Sequence, residues 1–455
     1  MEIFNSALPQ FAPIVNIAYD FFLHGLPFKY GWIFSGWIYF ILGIVYLLWK
    51  AYILEIQHQF VHGNNFVFYK IRVPKDNLVS TLAVETIFSQ LHALQVNKTF
   101  AEKYVEGHIQ LYYSLEIVSL GGQISFIIRV PDKIKTNFEA AIYAHYPQAE
   151  IQEVSDYLEN VQYDPLDPNC PIEIFGTEWK LVSDDVIPLK TYKDFEHPTA
   201  EESIIDPLQN FFEGMAKVRS HEVFAVQIII QPQASALWVP RADKKIKELI
   251  GEEPEHAHGF WSFLTSPFDK FSKLKYSELF SGGHAHAPEP VVGKPKNNWM
   301  QLTEGEKEKV TLIEQKKSKP GYLTKIRFLF IAPKEKYNRD SVFAIVGSWR
   351  PFSSTMANEL KPDVSLTWTG IDHVFSPKLE KPYLDWLLAY KRKWLWKGFK
   401  NRDVHIGGAM FYLNSEEIAS LYHFPITTKT TSVQSSIYKT ESKKSQPPVN
   451  LPVIE

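Results

Sequence analysis

The sequence predicts an α+β protein: an N-terminal transmembrane helix, two tandem ferredoxin-like (βαββαβ) units of which the second carries an insert, and a disordered C-terminal tail. Three observations carry this expectation. Gly31 to Trp49 contains no charged side chain. Between Phe66 and Val154, period-two and helical hydrophobic patterns follow one another in the order β-α-β-β-α-β. The same order recurs, interrupted, between 172 and 425.

The uncharged run, GWIFSGWIYFILGIVYLLW, is closed by Lys50. At ~1.5 Å rise per residue it is long enough to cross a ~30 Å hydrocarbon core, and the helix is expected over residues 31–54. Trp32 and Trp37 lie near one end and Tyr46 and Trp49 near the other, as an interfacial aromatic belt requires. A cleaved signal peptide fits less well: Glu2 and Asp20 precede Lys29, and no small-residue cleavage site follows the run. Lys50, Lys70, Arg72 and Lys75 follow the span, against Lys29 alone before it. That bias points the bulk of the chain into the cytoplasm, as a single-pass protein of the cell (inner) membrane. Residues 1–30 are apolar but broken by Pro9, Pro13, Asn16, Asp20 and Pro27; they read as an interfacial segment, with a second crossing as the alternative.

The first unit spans residues 64–158. FVFYKIRVP alternates as a strand, LVSTLAVETIFSQLHAL has helical spacing, and IQLYYSLEIVSL and QISFIIRVP form a hairpin around Gly121-Gly122. KTNFEAAIYAHY reads as a helix stopped by Pro147, and AEIQEV as a closing strand. Both helices belong on one sheet face, leaving the other free to pack against something else. The second unit spans 172–425. Its expected strands are VIPLKTY, EVFAVQIIIQP, TKIRFLFIAP and VHIGGAMFYLN; its helices are SIIDPLQNFFEGMAKV and RDSVFAIVGSW. An irregular and helical insert at about 240–320 separates the central strands, with helices around ADKKIKELIG and LTEGEKEKVTLIEQKKS. Residues 426–455 are polar and lack core-forming periodicity.

Composition narrows the function. A net charge of −3 over 455 residues gives no global field that attracts nucleic acid. The single cysteine, Cys170, rules out an internal disulfide framework and cysteine-based zinc sites. No phosphate-binding G-x-x-x-x-G-K-[ST] loop, G-x-G-x-x-G, G-x-S-x-G or H-E-x-x-H occurs, so no catalytic residue, metal ligand or cofactor is assigned. His256 with His258, and His284 with His286, form two H-A-H pairs able to chelate a metal on extended backbone. They sit in a Gly/Pro-rich stretch with no group to orient their rings, which favours a solvated loop. FWSFLTSPFDKFSKLKYSELF, between the pairs, alternates aromatics with lysines and reads either as a membrane-surface or partner contact or as a packed helix. The acidic doublets Asp184-Asp185, Glu201-Glu202 and Glu416-Glu417 diverge on any regular backbone and read as solvated surface.

The densest positive patch is KRKWLWKGFKNR, residues 391–402. Lys391, Arg392, Lys393, Lys397, Lys400 and Arg402 are interleaved with Trp394, Trp396 and Phe399. Cations among aromatics suit nucleic-acid phosphates and bases, or anionic lipid head groups; a helix with buried tryptophans explains the same residues.

Two C-terminal phrases resemble a known family. Tyr412-Leu413-Asn414-Ser415-Glu416-Glu417-Ile418-Ala419-Ser420-Leu421-Tyr422-His423-Phe424-Pro425 is similar to the LN-x-E-E-L-A-x-L-Y-H-F-P phrase of membrane-anchored HerA/FtsK-like ATPases. Those proteins include the coupling proteins of bacterial type IV secretion and conjugation systems. Gln446-Pro447-Pro448-Val449-Asn450-Leu451-Pro452 resembles the P-P-x-N-L-P phrase that precedes the family's ATPase core. Tyr113 to Ile117 and Tyr146 to Ile151 resemble its N-terminal region. The family's chemistry lies in a nucleotide site that this sequence lacks. The resemblance therefore implies a non-enzymatic membrane anchor and scaffold for a separate HerA/FtsK-like DNA-translocating ATPase. Its docking element would comprise Glu417, Leu421, Tyr422, His423, Phe424, Pro425, Pro447, Pro448, Asn450, Leu451 and Pro452. Motors of this family are hexameric, so a ring-shaped homo-oligomer is a corollary. The residues alone give a plainer reading of the first phrase: Asn414 or Ser415 caps a short helix, Ile418, Leu421 and Phe424 face a core, and His423 is a satisfied packing residue. The alternative function is a membrane-tethered nucleic-acid- or lipid-binding module that works without a motor.

Overall fold

The computed structural model describes residues 27–425 apart from 75–76, 78, 97, 168, 196–205, 252–301 and 371–376. The expected interfacial segment, the histidine pairs of the insert and the C-terminal tail lie outside the described residues. The chain divides into two compact units, one holding the N-terminal helix with residues 96–109, the other holding the sheet.

In the smaller unit, α1 (Pro27–His62) is one uninterrupted helix of 36 residues. From Phe40 to Tyr52 its large apolar side chains stand in the open, Phe40 itself 69% exposed, and burial begins only at Ile53. The helix is long and apolar enough to cross a membrane. The rest of this unit is built on the short α3 (Phe100–Tyr104), capped by reciprocal hydrogen bonds between Thr99 and Glu102. Gly107 has φ +71°, and a Cβ there would stand 2.6 Å from the backbone of Ile56 on α1, a close approach only glycine allows.

In the sheet unit the strands are β1 (Phe66–Arg72), β2 (Tyr113–Leu120), β3 (Gln123–Pro131), β4 (Glu150–Val154), β5 (Ile172–Leu181), β6 (Val223–Gln233), β7 (Gly321–Pro333), β8 (Leu360–Pro362) and β9 (Phe411–Asn414). All pair antiparallel in a single nine-stranded sheet of order β4-β1-β3-β2-β6-β7-β5-β8, with β9 also on β7. Half of it reads β4-β1-β3-β2; the other half, from its own edge, reads β8-β5-β7-β6. They meet where β2 pairs with β6 over eight residues, Tyr113 opposite Ile230 through Leu120 opposite Val223. The Gly121-Gly122 turn joins β2 to β3 with both residues at positive φ, +58° and +86°, the geometry of a two-residue hairpin.

The strand order corrects two expectations in the second half. Its first strand is β5, not VIPLKTY. Pro188 interrupts that stretch, and its backbone bonds run to loops and side chains: Lys190 N–H donates to the carbonyl of Phe352 and Leu189 N–H to Glu417. Its fourth strand is the three-residue β8, not VHIGGAMFYLN. Of the latter only β9 is extended. It fills the ladder positions Gly321 to Thr324 that β5, which pairs with β7 from Ile326 onward, leaves open.

Helices α2 (Thr81–His92), α4 (Lys135–His145), α5 (Gln209–Ala216), α8 (Asp340–Gly347) and α10 (Ser415–Leu421) pack on one face of the sheet. Alternate strand residues meet them, among them Ile117, Phe126, Val226 and Phe328, while α2 contributes Ile87, Phe88 and Leu91. Each such side chain gains roughly 1.5–3 kcal/mol by leaving water. Between β6 and β7, α6 (Ser235–Ile250) and α7 (Glu304–Lys317) bury Trp238, Ala242 and Ile246 against Val310 and Ile313. The opposite face is covered by α9 (Pro377–Asn401), through Leu395, Trp396 and Phe399, and by Leu158.

Phe126 knits the first layer together, its ring centroid 5.8 Å from Phe212, 5.9 Å from Tyr422 and 5.2 Å from Phe424. Phe126→Ala is expected to lower stability by about 3–5 kcal/mol, and Phe126→Leu by under about 1.5 kcal/mol. Urea denaturation of the detergent-solubilised protein measures both.

Candidate functional site

On the face beneath α9 a row of polar side chains runs across four strands in register. Glu116 on β2 lies opposite Gln227 on β6, Gln227 opposite Arg327 on β7, and Arg327 opposite Glu178 on β5. All four are buried. Strand alternation puts them on the side that solvent would otherwise reach, and the end of α9 closes over them.

Arg327 donates Nε–H to Glu178 at 2.7 Å, and its other nitrogens to the carbonyls of Gly398 (2.9 Å), Asp403 (2.7 Å) and Ile406. Gln227 donates to Glu116 at 3.2 Å and to the carbonyl of Phe399 at 3.1 Å. Lys325, one pleat away, donates to the carbonyls of Val404 and Ile406, each at 2.8 Å. Burial, helped by the charge of Arg327, brings the Lys325 ammonium down to about 8. The orphan carbonyls at the C-terminus of α9 and in the loop after it are thus received by cations rising from the sheet.

Arg402 is the pin. It is the only non-glycine residue at positive φ (54°) among the described residues. Left-handed backbone costs an L-residue about 1–2 kcal/mol. Its guanidinium offsets that cost by gripping Glu116 at 2.9 and 3.1 Å and both carboxylate oxygens of Asp156, between the rings of Phe68 and Tyr157. Burial alone would raise the Glu116 carboxyl; Arg402 and the Ser114 hydroxyl hold it below the usual carboxylate range. Gly407, at φ +97°, lets the loop pass so close that a Cβ would fall 2.1 Å from a Glu178 oxygen.

Beside this network a cavity of about 310 Å³ opens between α9, Leu366-Thr367 and the segment from His405 to Gly407. Glu178 and Arg327 lie at its floor, Tyr390 and Trp394 on its wall. The floor charges are engaged with each other and with backbone. Among the described residues, no group of three or more His, Cys, Asp or Glu side chains is placed to hold a metal ion.

The basic run divides. Arg402 is internal, Arg392 pairs with Glu173 at 2.7 Å, and Lys400 donates to the carbonyl of Val161 at 2.9 Å. Lys391 is half-buried and reaches the carbonyl of Ser365 at 3.3 Å, while Lys393 and Lys397 are exposed. Of the cations expected to contact phosphate or lipid, Arg392, Lys400 and Arg402 are each held by a protein acceptor. The aromatics divide too. Trp396 and Phe399 are buried, but Tyr383, Trp386, Tyr390 and Trp394 are all exposed along one stripe of α9.

The expected docking phrase lies in the core. Asn414 and Glu417 cap α10 reciprocally at 2.8 Å, and Glu417 also accepts from Lys316 at 2.9 Å, both side chains fully buried. Burial draws the Glu417 carboxyl upward in spite of Lys316. Glu416, read from sequence as solvated surface, is buried with Thr191 at 2.5 Å and Lys193 at 2.8 Å. Leu421, Tyr422, His423 and Phe424 are buried and Pro425 is partly so, its carbonyl accepting from Asn77 at 3.1 Å. In this arrangement Glu417 through Phe424 face inward, because the phrase is the key that locks α10 onto α2. Pro447, Pro448, Asn450, Leu451 and Pro452 lie outside the described residues.

Two expectations follow. Arg402→Met leaves Glu116 buried without its cation and is expected to cost about 3–5 kcal/mol, part of which Glu116→Gln restores; urea denaturation of both variants tests this. His423 donates from Nδ1 to the carbonyl of Ala419 at 2.9 Å and from Nε2 to Asp206 at 3.0 Å. Burial alone would lower its pKa, but the Asp206 carboxylate and the backbone of Ala419 and Ser420 raise it on balance. A raised histidine stabilises the fold fully below its unfolded value, about 6.5, and that contribution is lost as pH rises through the folded value. The difference in melting temperature between wild type and His423→Gln should accordingly shrink from pH 6 upward.

Comparison with curated proteins returns no match. A family model described as "Domain of unknown function (DUF8128)" matches residues 55–436, which takes in the whole described sheet unit. The chain belongs to the DUF8128 family.

Proposed function

We propose that this protein is a non-enzymatic, single-span membrane anchor and scaffold for a HerA/FtsK-like DNA-translocating ATPase of a type IV secretion or conjugation-like system. The observation that carries the reading is a membrane-length helix joined to a sheet unit whose buried charges hold one another. Glu116, Glu178, Glu416 and Glu417 are each engaged by a cation, so the interior chemistry serves the fold and the unit acts through its surfaces. The repeated strand order supports two ferredoxin-like units, residues 64–158 and 172–425, fused edge to edge. Positive residues after the span favour a cytoplasmic sheet unit at the cell membrane. The resemblance to the motor family supports the partner and a ring-shaped assembly. Because the first phrase is internal, docking falls to the tail around Pro447-Pro448 and Asn450-Leu451-Pro452.

Deleting residues 446–455 is expected to abolish co-purification of a Walker-type ATPase from the native host while leaving membrane extraction unchanged. Undiminished recovery of that ATPase from the deletion variant would sink the docking role of the tail. One observation favours a second reading, a membrane-tethered lipid- or nucleic-acid-binding module: the row of exposed aromatics on α9.

A further inference from the structure

We infer that the outer stripe of α9 is a docking face for an anionic lipid bilayer. Tyr383, Trp386, Tyr390 and Trp394 follow one another at intervals of three, four and four residues, which aligns them on one side of the helix. They are 62%, 58%, 50% and 41% exposed. Successive ring centroids are 6.2, 5.8 and 6.0 Å apart, so the four rings form a continuous ladder. It extends about 16 Å along the helix at ~1.5 Å per residue. A run of four large aromatics in water is an interaction surface, since isolated exposure is the rule for monomeric proteins.

The chemistry of the stripe selects the occupant. Tryptophan and tyrosine combine an apolar body with a polar tip and concentrate where hydrocarbon gives way to head groups. From Lys381 to Asn401 the helix carries one acid, Asp385, against six cations. Of these, Lys381, Lys393 and Lys397 are exposed, and Lys397 stands 5.4 Å over the ring of Trp394. That pattern complements anionic lipid head groups. A nucleic-acid groove needs a denser row of available cations, whereas Arg392, Lys400 and Arg402 are held inside the protein. Tethering adds a second argument. Only three residues separate α1 from β1, so a bilayer that receives α1 is always available to the sheet unit. Docking is then intramolecular, and a weak interfacial affinity suffices. The inference rests on α1 as the membrane anchor and is independent of the ATPase.

The test uses the full-length protein reconstituted in vesicles whose lipid acyl chains are brominated, a short-range quencher of tryptophan. Subtracting the fluorescence of Trp386→Phe/Trp394→Phe from that of wild type isolates the two ladder tryptophans, and circular dichroism checks that the phenylalanine variant folds. The pair should be quenched in vesicles of phosphatidylglycerol and phosphatidylcholine, and roughly twofold less in phosphatidylcholine alone or in high salt. If the remaining tryptophans are quenched but this pair is not, the docking face is overturned and the anchor stands. Absence of all quenching overturns both. Should a single-stranded oligonucleotide quench the pair where brominated lipid does not, the face reads nucleic acid and the lipid assignment falls.

Discussion

The buried row Glu116–Gln227–Arg327–Glu178 is the constraint on which the sheet unit's second face depends. An amphipathic sheet would normally leave such residues to water. Here they face a helix end whose carbonyls lack partners, and each solves the other's desolvation problem. Arg327 satisfies three carbonyls at once, and Arg402 ties β2 to the segment after β4 while holding a backbone angle that glycine would ordinarily take. The row crosses the β2–β6 junction, so one polar assembly fastens both halves of the sheet and the helix α9 that covers them. Buried ion pairs of this kind add little net stability compared with apolar packing, but they tolerate only one arrangement.

Much of the first half was legible in the chain because its strands alternate and its helices have clean spacing. The second half was harder where the physical signal was inverted. In β5, IEIFGTEWKL, Glu173, Glu178 and Lys180 and a central glycine mask the alternation, since Glu178 is neutralised by a partner nearly 150 positions away. VIPLKTY looks like a strand because Val186 and Leu189 are buried, yet burial there comes from loop packing. A three-residue strand such as β8 carries no periodicity at all. Asn414 as a helix cap and His423 as a satisfied core residue were both readable, because capping and packing are local. The inward direction of the rest of that phrase is set by α2 and α7, which no local pattern reports.

The same logic splits the basic run of α9. Its composition reveals cations and aromatics but not their phase relative to a sheet. Three and four residues apart, Trp396 and Phe399 belong to the core, while Tyr390 and Trp394 belong to solvent. Sequence alone therefore joins two surfaces with opposite roles into one motif. The sheet edges show related management. β4 presents Glu150 and Glu153 and β8 is too short to template another strand, which discourages edge-to-edge association.

The chain leaves α1 and enters the sheet at β1, which is not an edge strand: β3 flanks it over six paired positions and β4 over five. Tension transmitted along the polypeptide from α1 into β1 is therefore shared by two hydrogen-bonded ladders instead of peeling one strand from a rim. The mechanical coupling between α1 and the sheet is built into the order of the strands.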